Sequence, residues 1–325
     1  MLYPLIFQPI FKERVWGGRE LARLYGKNLP ANAPIGESWE ISDRPGDASV
    51  IANGPLAGKS LRWLMQTHRA ELLGDAKPLG EHFPLLIKLL DAREKLSLQV
   101  HPPAHKAKEL GGDPKTEMWF IADAVPGAEL YVGLKRGVTR ADFERKIQDG
   151  SVADCFHRVP VKAGDTMFLP SGRVHAIGAG LVIFEIQQNS DTTYRVFDWN
   201  RIGLDGQPRE LHVPQSLASI DFNDFEPPLA AGKITEYPNF TVRRLVEHEL
   251  FAVELVELKS PAVLSSSKPQ MQIISLVGGK ARVSSPDGDE AIELTAGQFC
   301  LVPAALQKTD VSASAGCRFL RVTAG

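Results

Sequence analysis

The sequence predicts a mainly β protein: two related barrel or sandwich units carrying a few short helices. Three observations point there. The 23 prolines and 28 glycines are spread along the 325 residues, not pooled in one linker. Short apolar runs lie between them, which is the punctuation of an all-β barrel or sandwich. One block also occurs twice, as AGDTMFLPS (163–171) and AGQFCLVPA (296–304). Each copy is a turn, a short strand, and a proline that stops the strand. Two copies suggest two related units. The division is expected near residue 235, in EPPLAAGKITEYP, giving units 1–235 and 236–325.

Along the chain, strands are expected at WEIS (39–42), LSLQV (96–100), TMFL (166–169), LVIFEIQ (181–187) and MQIISLV (271–277). The stretch LSLQVHPP (96–103) alternates, with Leu96, Leu98 and Val100 on one side and Ser97, Gln99 and His101 on the other, because successive strand side chains point to opposite faces. Helix signals are fewer. Ser60 caps a helix over 60–73, with Leu61, Leu64, Met65 and Leu72 on one stripe and Gly74 ending it. Thr139 caps another through Phe143 and Ile147, closed near Gly150. The pair Gly278-Gly279 reads as a tight hairpin turn.

Bulk properties narrow the function. The composition is 43% hydrophobic and 23% charged, ordinary for a globular protein. The net charge of -2 gives no bulk reason to expect nucleic acid or an acidic membrane surface. No run reads as a transmembrane helix. The opening MLYPLIFQPIFKERVWGG is broken by Pro4 and Pro9 and lacks a basic lead-in, so it makes a poor signal peptide. Cys155, Cys300 and Cys317 are odd in number and form no CxxC pair. They argue against a disulfide framework and for a reducing cytoplasm.

Of the eight histidines, two stand out. His68 falls in the expected 60–73 helix, and His82, His157, His212 and His248 lie in polar or proline-flanked surroundings. These five are expected at the surface. Two prolines separate His101 from His105, which argues against a helical metal pair. His101 shares its strand face with Gln99, Glu117 opens the apolar run in PKTEMWFIA, and His175 follows the turn Pro170-Ser171-Gly172. Two imidazoles, a carboxylate and a carboxamide suit a divalent metal such as zinc or iron. The alternative is a strand face that meets only water. Three cations accompany the set. Lys88 is a lone charge in PLLIKLLDA, Lys115 shares a strand face with Glu117, and Arg195 follows QQNSDTTY. They suit an anionic substrate such as a phosphate. The competing readings are snorkelling at a sheet edge for Lys88, and a surface ion pair with Asp191 or Asp198 for Arg195.

Four blocks in this order, LSLQVHPP, KTEMWF, GDTMFLPSGRVHAIGAG and EIQQNSDTTYRVFDWNR, resemble the type I mannose-6-phosphate isomerases of the short bacterial form. VWGGREL, IGESWEIS and the helix after AGKSLRWL resemble that group too. The resemblance is close over residues 4–215 and looser to the end. It implies two cupin-type jelly-roll barrels, with one Zn2+ per chain held by Gln99, His101, Glu117 and His175. It implies Arg195 and Lys115 as catalytic residues, with Lys88 and Ser97 by the sugar phosphate. The implied reaction interconverts mannose 6-phosphate and fructose 6-phosphate through an enediol. The metal acts there as Lewis acid and template, and a basic group carries the proton. Lys115, Glu117 and a metal-bound water stay open for that last role. The expected partner is a small sugar phosphate, not nucleic acid or membrane, in a monomer or homodimer. Longer members insert a large helical segment between the Glu and the second His. Here the interval 117–175 has room for one or two short helices, which leaves the closure of the pocket open.

Other readings remain at this level. One is a non-catalytic sugar-binding cupin, since fold does not dictate function. Another is a metal-dependent cupin dioxygenase, which the Gln ligand and the TTYR block fit poorly. A third is an isomerase of a different sugar, phosphorylated or not. The C-terminal unit carries no histidine after His248 and has Lys308 at the offset where the first copy has His175. It is expected to be a degenerate cupin that buries apolar surface against the first unit.

Overall fold

The computed structural model describes residues 2–76, 80–267, 269–285 and 291–325, and its framework is four β-sheets, with a small two-stranded ribbon beside them. The first sheet has six strands in the order Ile10–Gly18, Ile35–Ile41, Leu85–Ala92, Leu181–Gln188, Glu117–Ala124 and Thr166–Leu169. The second has five: Tyr194–Phe197, Leu98–Val100, His175–Ile177, Glu129–Leu134 and Phe156–Pro160. The third again has six: Lys233–Glu236, Phe240–Glu247, Phe251–Leu258, Arg318–Ala324, Gln272–Gly278 and Phe299–Val302. The fourth has four: Ala262–Ser266, Thr309–Ala313, Lys280–Ser284 and Ala291–Thr295. No helix among the described residues is long and apolar enough to cross a membrane.

Side-chain alternation decides how the sheets stack. In the first sheet Ile87, Leu89, Met118, Phe120, Phe184 and Ile186 share one face. They join Leu255, Ile273, Phe299, Leu320 and Val322 of the third sheet in the largest apolar cluster. The opposite face carries Leu90, Trp119, Ile121 and Ile183, which pack with Leu130, Val132 and Ile177 of the second sheet. The first sheet is therefore buried on both faces, and every residue of Leu85–Ala92 is buried. Val256, Ile274 and Phe319 of the third sheet meet Val283, Leu294 and Val311 of the fourth in a separate core. The far face of the second sheet, with Leu98, Val100 and Ala176, is covered by Phe143 and Val152.

The internal echo in sequence has a counterpart in topology. TMFL and FCLV are edge strands in equivalent positions of the first and third sheets. Their registers also agree, since Leu169 pairs with Glu117 and Val302 pairs with Gln272. Gln272 thus occupies in the third sheet the place that Glu117 occupies in the first.

Several expectations hold and several need correction. Thr139 caps Arg140–Asp149 through a capping box, and Gly150 closes that helix at φ +80°. Ser60 Oγ accepts from Trp63 N–H at 3.1 Å as expected. The helix over 60–73 is, however, two helices, Leu61–Thr67 and Arg69–Leu73, broken at His68. Thr67 Oγ1 donates to Trp63 O at 2.7 Å, a back-bond that bends helices. The strand in LSLQV is only Leu98–Val100, so the alternation fails at Leu96, which joins the cluster between the first two sheets. Gly278-Gly279 is a corner between sheets and not a hairpin, because the strands on either side belong to the third and fourth sheets. Gly279 has φ +83°, and a Cβ there would stand 2.9 Å from Cys317 Cα. His157, His212 and His248 are half-buried, not surface residues, whereas His82 is exposed.

Phe184 tests the junction of the first and third sheets. It is fully buried and meets Tyr25, Phe120 and Phe299 with ring centroids at 5.9, 6.4 and 5.6 Å. Phe184→Ala is expected to cost about 3–5 kcal/mol in urea unfolding, as large aromatic truncations in cores do. A cost under about 1 kcal/mol would mean that this junction is not a close-packed core.

Candidate active site

Four side chains converge between the first and second sheets. Glu117 opens the strand Glu117–Ala124, His175 opens His175–Ile177, Gln99 is central in Leu98–Val100, and His101 follows that strand directly. Gln99 pairs in register with His175 on one side and with Arg195 on the other. Strand pairing thus places three functional side chains in a row on one inner face.

His101, Glu117 and His175 each offer a ligand atom, all within 4.8 Å of one another, and could hold a metal ion. His101 Nε2 is 3.5 Å from Glu117 Oε2, and His175 Nε2 is 3.4 Å from Glu117 Oε1. The rings are oriented from behind. His101 Nδ1–H donates to Thr192 O at 2.8 Å, and His175 Nδ1–H donates to Arg173 O at 2.9 Å. These bonds fix the proton on Nδ1 and leave the Nε2 lone pair facing the centre, as is usual behind metal-ligating histidines. Trp119 packs edge-on against the His175 ring, at 5.3 Å and 84°. Glu117 Oε1 is buried and has no hydrogen-bond partner, so one carboxylate oxygen points into the group unsatisfied. Gln99 Nε2 lies 3.3 Å from His175 Nε2. A half-turn of that carboxamide exchanges its N and O and brings Oε1 to the same place.

Electrostatics prepare the same groups. Burial, with the Lys115 ammonium adding to it, pushes the His101 imidazole down to about 4. Burial likewise lowers His175. Burial alone would raise Glu117, but Lys115 and the two histidines overcome it and hold the carboxyl well below the usual carboxylate range. Neutral imidazoles and an ionised carboxylate are the forms that bind metal. Lys115 Nζ touches Glu117 Oε2 and lies 3.2 Å from His101 Nε2.

A cavity of about 540 Å³ opens beside this group, in the size range of small-molecule sites. Gln99, Lys115, Ser97, Lys88 and Arg195 line it, so the other residues expected from sequence lie beside the His-Glu-His group. Lys88 is not a snorkelling edge residue. Its strand is third in the sheet order, and only 4% of the residue is exposed. Its ammonium lies 3.3 Å from Glu185 Oε2 and 3.6 Å from Glu37 Oε2 and sits over the Trp39 ring. Burial opposes that charge, but the two carboxylates outweigh it and raise the lysine above its ordinary value. Across the strands the row runs Trp39, Lys88, Glu185, Trp119. Trp39 Nε1–H donates to Glu37, and Trp119 Nε1–H donates to Glu185, at 2.6 and 2.9 Å.

Arg195 differs from Lys88 in lacking a carboxylate partner among the described residues. The competing reading, an ion pair with Asp191 or Asp198, does not form, and Arg201 and Arg209 hold the Asp198 carboxylate at 2.6 Å each. Arg195 Nη1–H donates to Glu210 O at 2.7 Å, while its Nε is buried without a partner. Burial and the nearby Arg209 guanidinium both disfavour its charge, so an anion at this corner relieves both. The interval 117–175 holds one α-helix, Arg140–Asp149, and one short 3-10 helix. Both pack on the far side of the second sheet and leave the cavity mouth to other elements.

Sequence reasoning missed Arg14, Glu37, Glu185 and Arg209, all of which line the cavity, and took Asp191 only as a possible partner of Arg195. For Glu37 and Glu185 the signal was present. Glu185 is a lone acid in the apolar strand LVIFEIQ, the pattern that singled out Lys88, and Glu37 is one of two acids, with Glu40, in the wholly buried strand IGESWEI. Arg209 lies in an irregular loop and carries no such signal.

The comparisons with known proteins agree with this geometry. A family model described as "Phosphomannose isomerase type I, catalytic domain" matches residues 5–123. The chain is 36% identical over 306 residues to the probable mannose-6-phosphate isomerase GmuF of Bacillus subtilis, covering 94% of each. It is 36% identical over 319 residues to the mannose-6-phosphate isomerase ManA of the same organism, covering 97% of each. Among solved structures, the mannose 6-phosphate isomerase from Bacillus subtilis superposes with a TM-score of 0.89 at 31% identity over 99% of both chains.

The ligand geometry is testable without any assay of turnover. His101→Ala and His175→Ala are each expected to lose stoichiometric metal, read by elemental analysis of purified protein after zinc loading. Full metal content in either variant would remove that histidine from the ligand set.

Proposed function

The chain belongs to the type I phosphomannose isomerase family, and we propose that it interconverts mannose 6-phosphate and fructose 6-phosphate using one zinc ion. One observation carries this reading: a buried His-Glu-His group with both Nδ1 atoms fixed from behind, beside a cavity lined by Lys88, Lys115 and Arg195. Zinc suits the donor set, since imidazole nitrogen and carboxylate oxygen are common zinc donors. The fourth ligand is assigned to Gln99. When bound, the ion supplies Lewis acidity to the carbonyl and hydroxyl oxygens of the substrate.

The rest of the chemistry belongs to the chain. The reaction moves a proton between C2 and C1 of the sugar through an enediol. Lys115 is assigned to assist that transfer as a proton donor to the substrate oxygens, because its Nζ lies both on the cavity wall and against Glu117 and His101. Arg195 stabilises the negative charge of the enediolate or steers the sugar, and its lack of a carboxylate partner leaves it available for either. Lys88 and Ser97 are assigned to hold the substrate toward its phosphate end. Lys88 is already balanced by Glu37 and Glu185, so it contributes a hydrogen bond more than net charge. We further propose a division near residue 235 into a catalytic unit and a C-terminal unit. A cytoplasmic setting fits the three free, buried cysteines.

A second reading is kept by one observation. The single α-helix between Glu117 and His175 lies away from the cavity mouth, so nothing from that interval closes over the phosphate end. An isomerase of an unphosphorylated sugar is consistent with that.

A coupled assay for fructose 6-phosphate decides between them. Mannose 6-phosphate is expected to turn over, chelation to abolish activity, and added zinc to restore it. Arg195→Ala is expected to keep its zinc and lose about 100- to 1,000-fold in kcat, the usual range for removing a charge-stabilising donor. Turnover of mannose but not mannose 6-phosphate would favour the second reading. Full activity in Arg195→Ala would take that residue out of the mechanism.

A further inference from the structure

Gln187 stands on the inner face of the first sheet directly opposite Glu117, with no exposed surface. Its side-chain Nε2 donates twice, to Ser190 O at 2.6 Å and to Gln188 O at 2.8 Å. Its Oε1 is buried without a partner. An orphaned carboxamide oxygen is an expensive thing to keep in a core, and the bonds made by the other end of the group are what offset it. The two donors are what the position gains.

Those donors hold the segment 188–193, which leaves the first sheet and enters the second. Thr192 O, in that segment, accepts the Nδ1–H of His101. The segment is also laced to the residues leading into Lys115. Ser190 Oγ donates to Asp113 O and accepts from Thr192 N–H, both at 3.2 Å. Thr192 Oγ1 accepts from Asp113 N–H at 3.0 Å. Among side chains of the described inner face, Gln187 is the one that ties this segment back to the sheet carrying Glu117.

We infer that Gln187 is a positioning residue for the metal centre: it fixes segment 188–193 so that Thr192 O holds the His101 ring with Nε2 toward Glu117. This rests on the proposed zinc site and adds to it a residue that touches neither ion nor substrate. Groups that orient a metal-binding imidazole typically change metal affinity by about 10- to 100-fold when removed.

The test is a zinc titration of metal-free protein against a chromophoric chelator, paired with thermal unfolding of the metal-free form. Gln187→Met keeps the length of the side chain and removes both donors. Its zinc Kd is expected to weaken by about 10- to 100-fold. Its metal-free Tm is expected to stay close to that of the wild type, because the change removes the orphaned Oε1 but leaves Ser190 O without its donor, and its turnover is expected to recover at saturating zinc. A Kd within about twofold of wild type would overturn the inference. So would a fall in metal-free Tm with no change in zinc affinity, which would make the role structural only. Should Gln187→Met fail to fold, Gln187→Leu removes the same donors without adding a charge opposite Glu117, and the same two outcomes decide. Wild-type protein in the same titration separates the two claims. If it binds no zinc the site itself is wrong, whereas tight wild-type binding with an unaffected Gln187→Met refutes Gln187 alone.

Discussion

Glu117 is a carboxylate taken wholly out of water, and its surroundings are arranged around that fact. An ionised group in such a place is tolerable only when neighbouring charges and donors replace the solvent it has lost. Lys115 meets one oxygen, and His101 and His175 approach from the second sheet. The other oxygen has no hydrogen-bond donor at all. A lysine, two imidazoles and one unmet oxygen around an anion form an arrangement that a divalent cation completes. The backbone bonds from both Nδ1 atoms mean that the rings need not reorient to accept it.

The second constraint is the burial of the first sheet on both faces. One face is apolar and packs against the third sheet, and the other carries Glu117, Glu185, Lys88 and Trp119. The C-terminal sheets thus supply a rigid back to the wall on which the site is built. They repeat the strand order of the N-terminal pair, without a counterpart of Tyr194–Phe197, but carry Gln272 at the position of Glu117, with no histidine after His248. Within that wall the charges cancel locally. Lys88 lies between two carboxylates, each of which also accepts from an indole N–H. Arg195 escapes this cancellation, because Asp198 is occupied by Arg201 and Arg209. An uncompensated cation therefore lies at the cavity, where it can act on an anion.

Much of this was legible in the sequence, for identifiable reasons. Gln99 and His101 were visible because polar residues at a period of two on a strand leave a mark that local chemistry can read, Glu117 because it opens an apolar run, and His175 because it follows the turn Pro170-Ser171-Gly172. The strand framework was visible in its punctuation, and the repeated block lay in equivalent strands. What escaped depends on long-range geometry. Gly278-Gly279 announced a turn with positive φ, but nothing local says whether a turn reverses a strand within one sheet or carries it to another. Leu96 broke the alternation because the strand begins only at Leu98. Arg209 reached the cavity through a loop whose path no periodicity encodes. Glu37 and Glu185 could have been found by the rule that found Lys88, since a lone charge in a central strand needs a partner, and these are its partners.

The most direct test of the account is zinc K-edge X-ray absorption on the fully zinc-loaded protein. The expected spectrum has only nitrogen and oxygen in the first shell, at about 2.0–2.2 Å, with the outer-shell scattering of two imidazoles. A zinc–sulfur distance near 2.3 Å would place the ion at a cysteine instead. Fewer than two imidazoles would likewise contradict a centre built on His101, Glu117 and His175.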